Sequence, residues 1–322
     1  MTFIQNILIN LKKEFMYQYF SRLFFILILI VSSLMIWNSF MLTKEVKSNY
    51  NLYLRTESEY KNDGIDIDKA LKSPVQTDQK QGANGNTIET IDNILRYDYE
   101  NLTSSIYRIQ PNQIVPSSLE WISFIFLPII FMIYGVYIAT YERKYKTLKI
   151  KSIQYDWRYF LITKQISLYI SALIILTFST LFSYIAGRFF YVIITKEIPM
   201  EQFQVLNASA DKNLFVQLII TLFITIIFST LGFSLGIICK GILIPVLIFV
   251  AYNFATPILG TYDIRNMIAV LGHQAFNFSG NFKLFTPSDM PTTTAVLLLI
   301  GFILLLTIIT YVTFGRQSKY MN

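Results

Sequence analysis

Six runs of mostly Ile, Leu, Phe and Val, at residues 23–42, 119–141, 165–187, 214–238, 242–259 and 293–315, contain none of the chain's 27 Lys and Arg. Their one acid, Glu120, lies at a rim. A helix needs about 20 apolar residues to cross the hydrocarbon core of a bilayer. In lipid every peptide group must find its partner within the segment, so such runs are helices. With 53% hydrophobic residues and a mean hydropathy of +0.47, the composition is far from that of a soluble domain. The expected fold is an all-α polytopic membrane protein with six transmembrane helices.

Uncharged spans also limit function. Transporters driven by protons or ions keep Asp, Glu, His or Arg within the membrane as coupling groups, because such costly residues persist only where they work. Their absence points to another chain as the energy source. It also argues against an intramembrane enzyme, which needs acids, bases or nucleophiles at membrane depth. No catalytic, cofactor-binding or metal site is expected. The lone Cys239 excludes an internal disulfide framework, and the lone His273 excludes a multi-histidine metal site.

Positive charges in short connections set the topology. Lys12, Lys13 and Arg22 precede the first span, and Arg143, Lys144, Lys146, Lys149, Lys151, Arg158 and Lys164 fill the second connection. Lys240 stands in the fourth, and Arg316 and Lys319 lie in the tail 316–322. These segments face the cytoplasm, with both termini. The outward segments are balanced or acidic: 43–118 has nine basic and eleven acidic residues, 188–213 three of each, and 260–292 two of each. The net charge of +7 is therefore a mark of topology, not of nucleic-acid binding, which requires a clustered basic face.

In the cytoplasmic segment 1–22, Ile4, Leu8, Leu11 and Phe15 recur at helical spacing while Gln5, Lys12 and Lys13 take other faces. This predicts an elbow helix over 3–20 in the headgroup plane. Bulky Phe40, Met41 and Leu42 close the first apolar run where a signal peptide has small residues, so the first span reads as a retained anchor. Segment 43–118 divides around a Pro-, Gly- and Asn-rich stretch, Ser73 to Thr87. Val46, Tyr50, Tyr53 and Leu54 on one side, and Ile88, Ile91, Leu95, Leu102 and Ile106 on the other, predict a small helical ectodomain. The outer loop 260–292 mixes Phe276, Phe278, Phe282 and Phe285 with Gly and Pro, too apolar for a solvated linker. It reads as a re-entrant outer gate.

After the second span, the connection 142–164 begins Glu142-Arg143-Lys144-Tyr145-Lys146-Thr147-Leu148-Lys149 and ends at Lys164, entering the third. This resembles permease subunits of the ABC-2 type, which carry here a Glu, a basic residue, a Gly-Thr-Leu and a Gly-Lys. Glu142, Arg143, Thr147, Leu148 and Lys164 match, whereas Lys146 and Thr163 stand where Gly is usual. The elbow helix, the six spans and the tight turn at Cys239, Lys240 and Gly241 extend the resemblance along the chain.

The resemblance implies a half-transporter. A second permease chain, identical or a sibling, completes the pathway, and ATP-binding subunits dock beneath the Glu142 loop. Glu142, Arg143, Tyr145, Thr147, Leu148 and Lys164 would then couple the ATPase. The chain has no G-x-x-x-x-G-K-[ST] cradle, so ATP and Mg belong to the partner. Uncharged aromatic and aliphatic spans suit an amphipathic or hydrophobic cargo, a peptide ahead of a lipid-linked glycan or a hydrophobic drug, and the resemblance implies that it is exported. The richness in Ile, Lys, Asn and Tyr suits the plasma membrane of a low-GC Gram-positive bacterium. The alternative is a non-transporting sensor or immunity protein whose ectodomain binds an extracellular peptide.

Overall fold

The computed structural model describes residues 3–81, 87–145, 147, 157–203 and 212–319. Among them the chain is mainly helical, with a two-stranded antiparallel hairpin of β1 (Thr77–Gln81) and β2 (Thr87–Ile91) and loops such as 276–291. In chain order the helices are α1 (Phe3–Phe20), α2 (Leu23–Asn62), α3 (Ile67–Lys72), α4 (Ile94–Ile109), α5 (Ile114–Trp121), α6 (Leu127–Lys144) and α7 (Trp157–Thr195). They continue with α8 (Leu214–Cys239), α9 (Leu243–Val250), α10 (Ile264–Ala275) and α11 (Thr292–Lys319). Five helical stretches are long and apolar enough to cross a bilayer: α2, Ile114–Lys144, α7, α8 and Thr292–Gln317. This is the architecture of a polytopic membrane protein.

The predicted span 242–259 differs. It holds the eight-residue α9 and a five-residue π-helical end, Ala251–Ala255. These rise roughly 20 Å, short of the ~30 Å hydrocarbon core. Pro257 supplies no N–H and disfavours helical geometry at Thr256, so the helix stops there. The chain then turns through Gly260, whose φ of 102° favours glycine. Arg265 holds the reversal by donating to the carbonyls of Thr256 and Pro257 at 2.9 and 2.7 Å and to Asp263 at 2.7 Å. Asp263 in turn accepts from Tyr252 and from the Leu259 N–H.

Pro128 has a related effect. Its missing N–H and its ring disturb the preceding turn, and residues Ile122–Phe126 widen into a π-helical segment between α5 and α6. Pro245, within the first turn of α9, is tolerated.

The chain forms two compact units. The first comprises residues 1–35, 119–181 and 212–322. Its core brings Met132 and Val136 of α6 together with Ile224, Ile227 and Phe228 of α8, Met267, Ile268 and Leu271 of α10, and Ala295 and Leu299 of α11. A Cβ at Gly232 would collide with the backbone of Met132, and one at Gly135 with that of Ser229. These glycines let α6 and α8 touch backbone to backbone.

The second unit comprises residues 36–118 and 182–211. Here Leu95, Leu102 and Ile106 of α4 are buried, as are Val46 and Tyr53 on the continuation of α2. Tyr53, Tyr99 and Phe203 pack as a ring cluster with centroids 5.6–6.0 Å apart. Thr56 donates to Asp98 at 2.7 Å, and Arg108 pairs with Glu45. Ile88 and Ile91, expected on a helix, lie in β2, where Ile91 opposes Thr77 and Ile88 opposes Lys80. Four residues cannot span a helix turn and a strand at once, and the ladder to β1 takes their backbone groups.

Candidate functional site

Within the first unit, one cluster of buried polar and charged residues lies where α1, α6 and α7 meet. On α1, Asn10, Glu14 and Gln18 stand four residues apart and are buried, while Leu8, Met16 and Tyr19 are exposed. The helix is inside out relative to one on a soluble core, with its polar stripe inward and its apolar stripe outward.

Lys164, near the start of α7, is the centre of this cluster. Its Nζ lies 2.6 Å from Glu142 Oε2 and 3.8 Å from Glu14 Oε2, and it donates to the Ile138 carbonyl at 2.6 Å. The three side chains are 1–8% exposed. The ammonium also sits over the Phe160 ring, 5.1 Å from its centroid. Unpaired charges are not sustained at such depth, so the ammonium and the two carboxylates hold one another in place.

Further along α1, Gln18 satisfies both ends of its amide. It donates to Ser167 at 3.1 Å and accepts from Tyr134 and from Ser171, each at 2.6 Å. Glu14 and Gln18 thus tie α1 to α6 and α7 through an interior that has no water-facing alternative.

Of the six residues predicted to couple to an ATPase, Glu142 and Lys164 meet in this buried pair. Arg143, half-buried, donates to Gln317 of α11, and Gln317 donates to the Ile237 carbonyl at 3.4 Å. Tyr145 is exposed and packs on Tyr141, with centroids 4.8 Å apart. The Thr147 N–H closes the end of α6 by donating to the Glu142 carbonyl at 2.9 Å. Leu148 lies outside the described residues.

The aromatic loop forms a second cluster. Phe276 and Phe278 are buried, and both rings lie 5.5 Å from Phe124 in the π-helical segment. Phe282 packs on Phe278 at 5.9 Å, and the Phe285 carbonyl hydrogen-bonds His273 Nε2 at 3.1 Å. Phe278 holds a φ of 48°, uncommon for a bulky residue, and its carbonyl accepts from Lys283.

Sequence reasoning missed Glu14, Gln18 and the Asp263–Arg265 pair. The four-residue spacing of Asn10, Glu14 and Gln18 was the available signal for a buried polar stripe, and Asp263 before an apolar helical pattern was a legible N-cap for α10.

Scanned against models of known families, curated proteins and solved structures, the chain matches none of them.

Proposed function

We propose that this chain is the membrane-spanning subunit of an ATP-driven exporter of the ABC-2 type, moving an amphipathic or hydrophobic cargo, with a peptide favoured. ATP hydrolysis takes place on separate ATP-binding subunits, and a second permease chain completes the pathway. Both termini are cytoplasmic and α1 is the elbow at the inner face. The short α9 and its π-helical end go part of the way across, and the turn at Gly260 with α10, beneath the outer surface, completes the fifth crossing.

The observation that carries this reading is the Glu142–Lys164 pair, 2.6 Å long and buried at both ends. It brackets the cytoplasmic connection, so a push on that connection meets a fixed point rather than a hinge. Through Glu14 and Gln18 the same point holds α1. An ATPase docked on the intervening residues therefore moves α1, α6 and α7 as one body, and nucleotide binding supplies the differential energy that the uncharged spans lack.

Affinity purification of the tagged chain from its native membrane tests this. Stoichiometric recovery of an ATP-binding cassette subunit, reduced by Tyr145→Ala with Leu148→Ala, is expected. Recovery of no ATPase from intact membrane complexes overturns the exporter reading in favour of sensing or immunity.

A further inference from the structure

The outward stripe of α1 borders two adjoining grooves. The first, about 660 Å³, is walled by Leu8, Leu11, Phe15 and Met16 of α1, Phe24 of α2 and Ile174 of α7. Lys12 is its one charged lining residue, exposed and without an ion-pair partner among the described residues. The second groove, about 800 Å³, shares Tyr19 with the first and adds Phe25, Ile26 and Leu29 of α2. Its one charge is Arg22, at the α1–α2 turn with a φ of 60°.

Each groove thus offers a long apolar wall, one cation and no acid. A soluble ligand would leave most of the wall wet, and a cationic peptide would be repelled. An acyl chain fits the wall, and a phosphate-bearing headgroup fits the cation. We propose that anionic phospholipid occupies these grooves, with acyl chains along the outer stripe of α1 and headgroups held by Lys12 and Arg22. The bound lipid would act as a mortar between the elbow and the spans, seating α1 so that Glu14 and Gln18 reach their buried partners. This inference rests on the reading of α1 as a helix at the cytoplasmic membrane face.

The test reconstitutes the full chain in phosphatidylcholine vesicles with either spin-labelled phosphatidylglycerol or spin-labelled phosphatidylcholine, and measures the motionally restricted fraction by electron paramagnetic resonance. The wild type is expected to prefer phosphatidylglycerol, Lys12→Gln and Arg22→Gln to lower that preference about fivefold each, and Lys240→Gln to leave it intact. Leu11→Trp, which fills the first groove, is expected to reduce the restricted fraction itself. Circular dichroism checks that each variant keeps its helices.

An unchanged preference in Lys12→Gln with Arg22→Gln overturns the proposal, as does an equal loss in Lys240→Gln, which would mark a general field effect. Equal restriction of both lipids assigns the grooves to neutral lipid. Restriction that appears only on dilution to monomers assigns them to a second copy. The assay contains no ATPase, so its failure leaves the transport reading standing, and a missing ATPase leaves this inference standing.

Discussion

Helix α4 in one unit, and α1, α9 and α11 in the other, solve opposite packing problems. In the unit of residues 36–118 and 182–211, α4 turns Leu95, Leu102 and Ile106 inward, and charged pairs such as Arg55–Glu59 and Lys61–Glu57 lie outside. In the other unit, α1 turns Glu14 and Gln18 inward, and α9 and α11 show Leu243, Leu304 and Ile308 outward, the first 73% exposed. Water rewards the first pattern through apolar burial. Lipid removes that reward and makes every outward polar group costly, so the unit of residues 1–35, 119–181 and 212–322 is held by backbone contact at Gly135 and Gly232 and by polar side chains turned inward. The same twenty side chains thus sort oppositely according to solvent.

The contrast can be broken most forcefully at its buried charge. Lys164→Met leaves Glu142 and Glu14 unpaired in a dry interior, and is expected to cost about 3–5 kcal/mol. The thermal midpoint of the detergent-purified chain should fall accordingly. In the other unit the equivalent damage comes from removing carbon: Leu95→Ala opens a cavity at a fully buried position and should cost about 2–5 kcal/mol, read the same way.

Outward positions separate the units more sharply. Leu304→Arg places a charge on the lipid-facing side of α11 and should penalise insertion by about 2.5–3.5 kcal/mol, measured as the inserted fraction in a translocon assay. Leu54→Lys, on the exposed face of α2, should change stability by no more than about 0.5 kcal/mol.

A further effect is one of pH. Burial, then Glu57, pushes the Tyr53 hydroxyl up to about 12. Between the ordinary tyrosine value of about 10 and that value, the folded chain keeps a proton that the unfolded chain has lost. The stabilisation is complete below pH 10 and fades as pH rises through this window. Tyr53→Phe should remove that part of the alkaline slope in the thermal midpoint.

Much of this was legible in the residues. Apolar runs of spanning length located five of the long helices, and the spacing of Ile4, Leu8, Leu11 and Phe15 announced α1. What composition could not give was the end of a helix set by main-chain chemistry: the helical stretch begun by α9 stops early because Pro257 and the Asp263–Arg265 pair turn the chain, although the run stays mostly apolar up to Leu259. Nor did a positive-inside count distinguish charges by depth. Lys164 entered it as one more cytoplasmic cation, yet its partner Glu142 lies 22 residues away in sequence and Glu14 far earlier, and only the fold brings them together. The hairpin β1–β2 was hidden for a related reason, since its strands are polar and short and their pairing depends on the turn between them.

The central claim is that Glu142 and Lys164 act as one buried unit clamping the ends of the connection between α6 and α7. A double-mutant cycle on thermal stability, using Glu142→Gln, Lys164→Met and the two combined, tests it most directly. The account predicts that the combined variant loses much less than the sum of the single losses, because each change relieves the charge stranded by the other. Additive losses would contradict it.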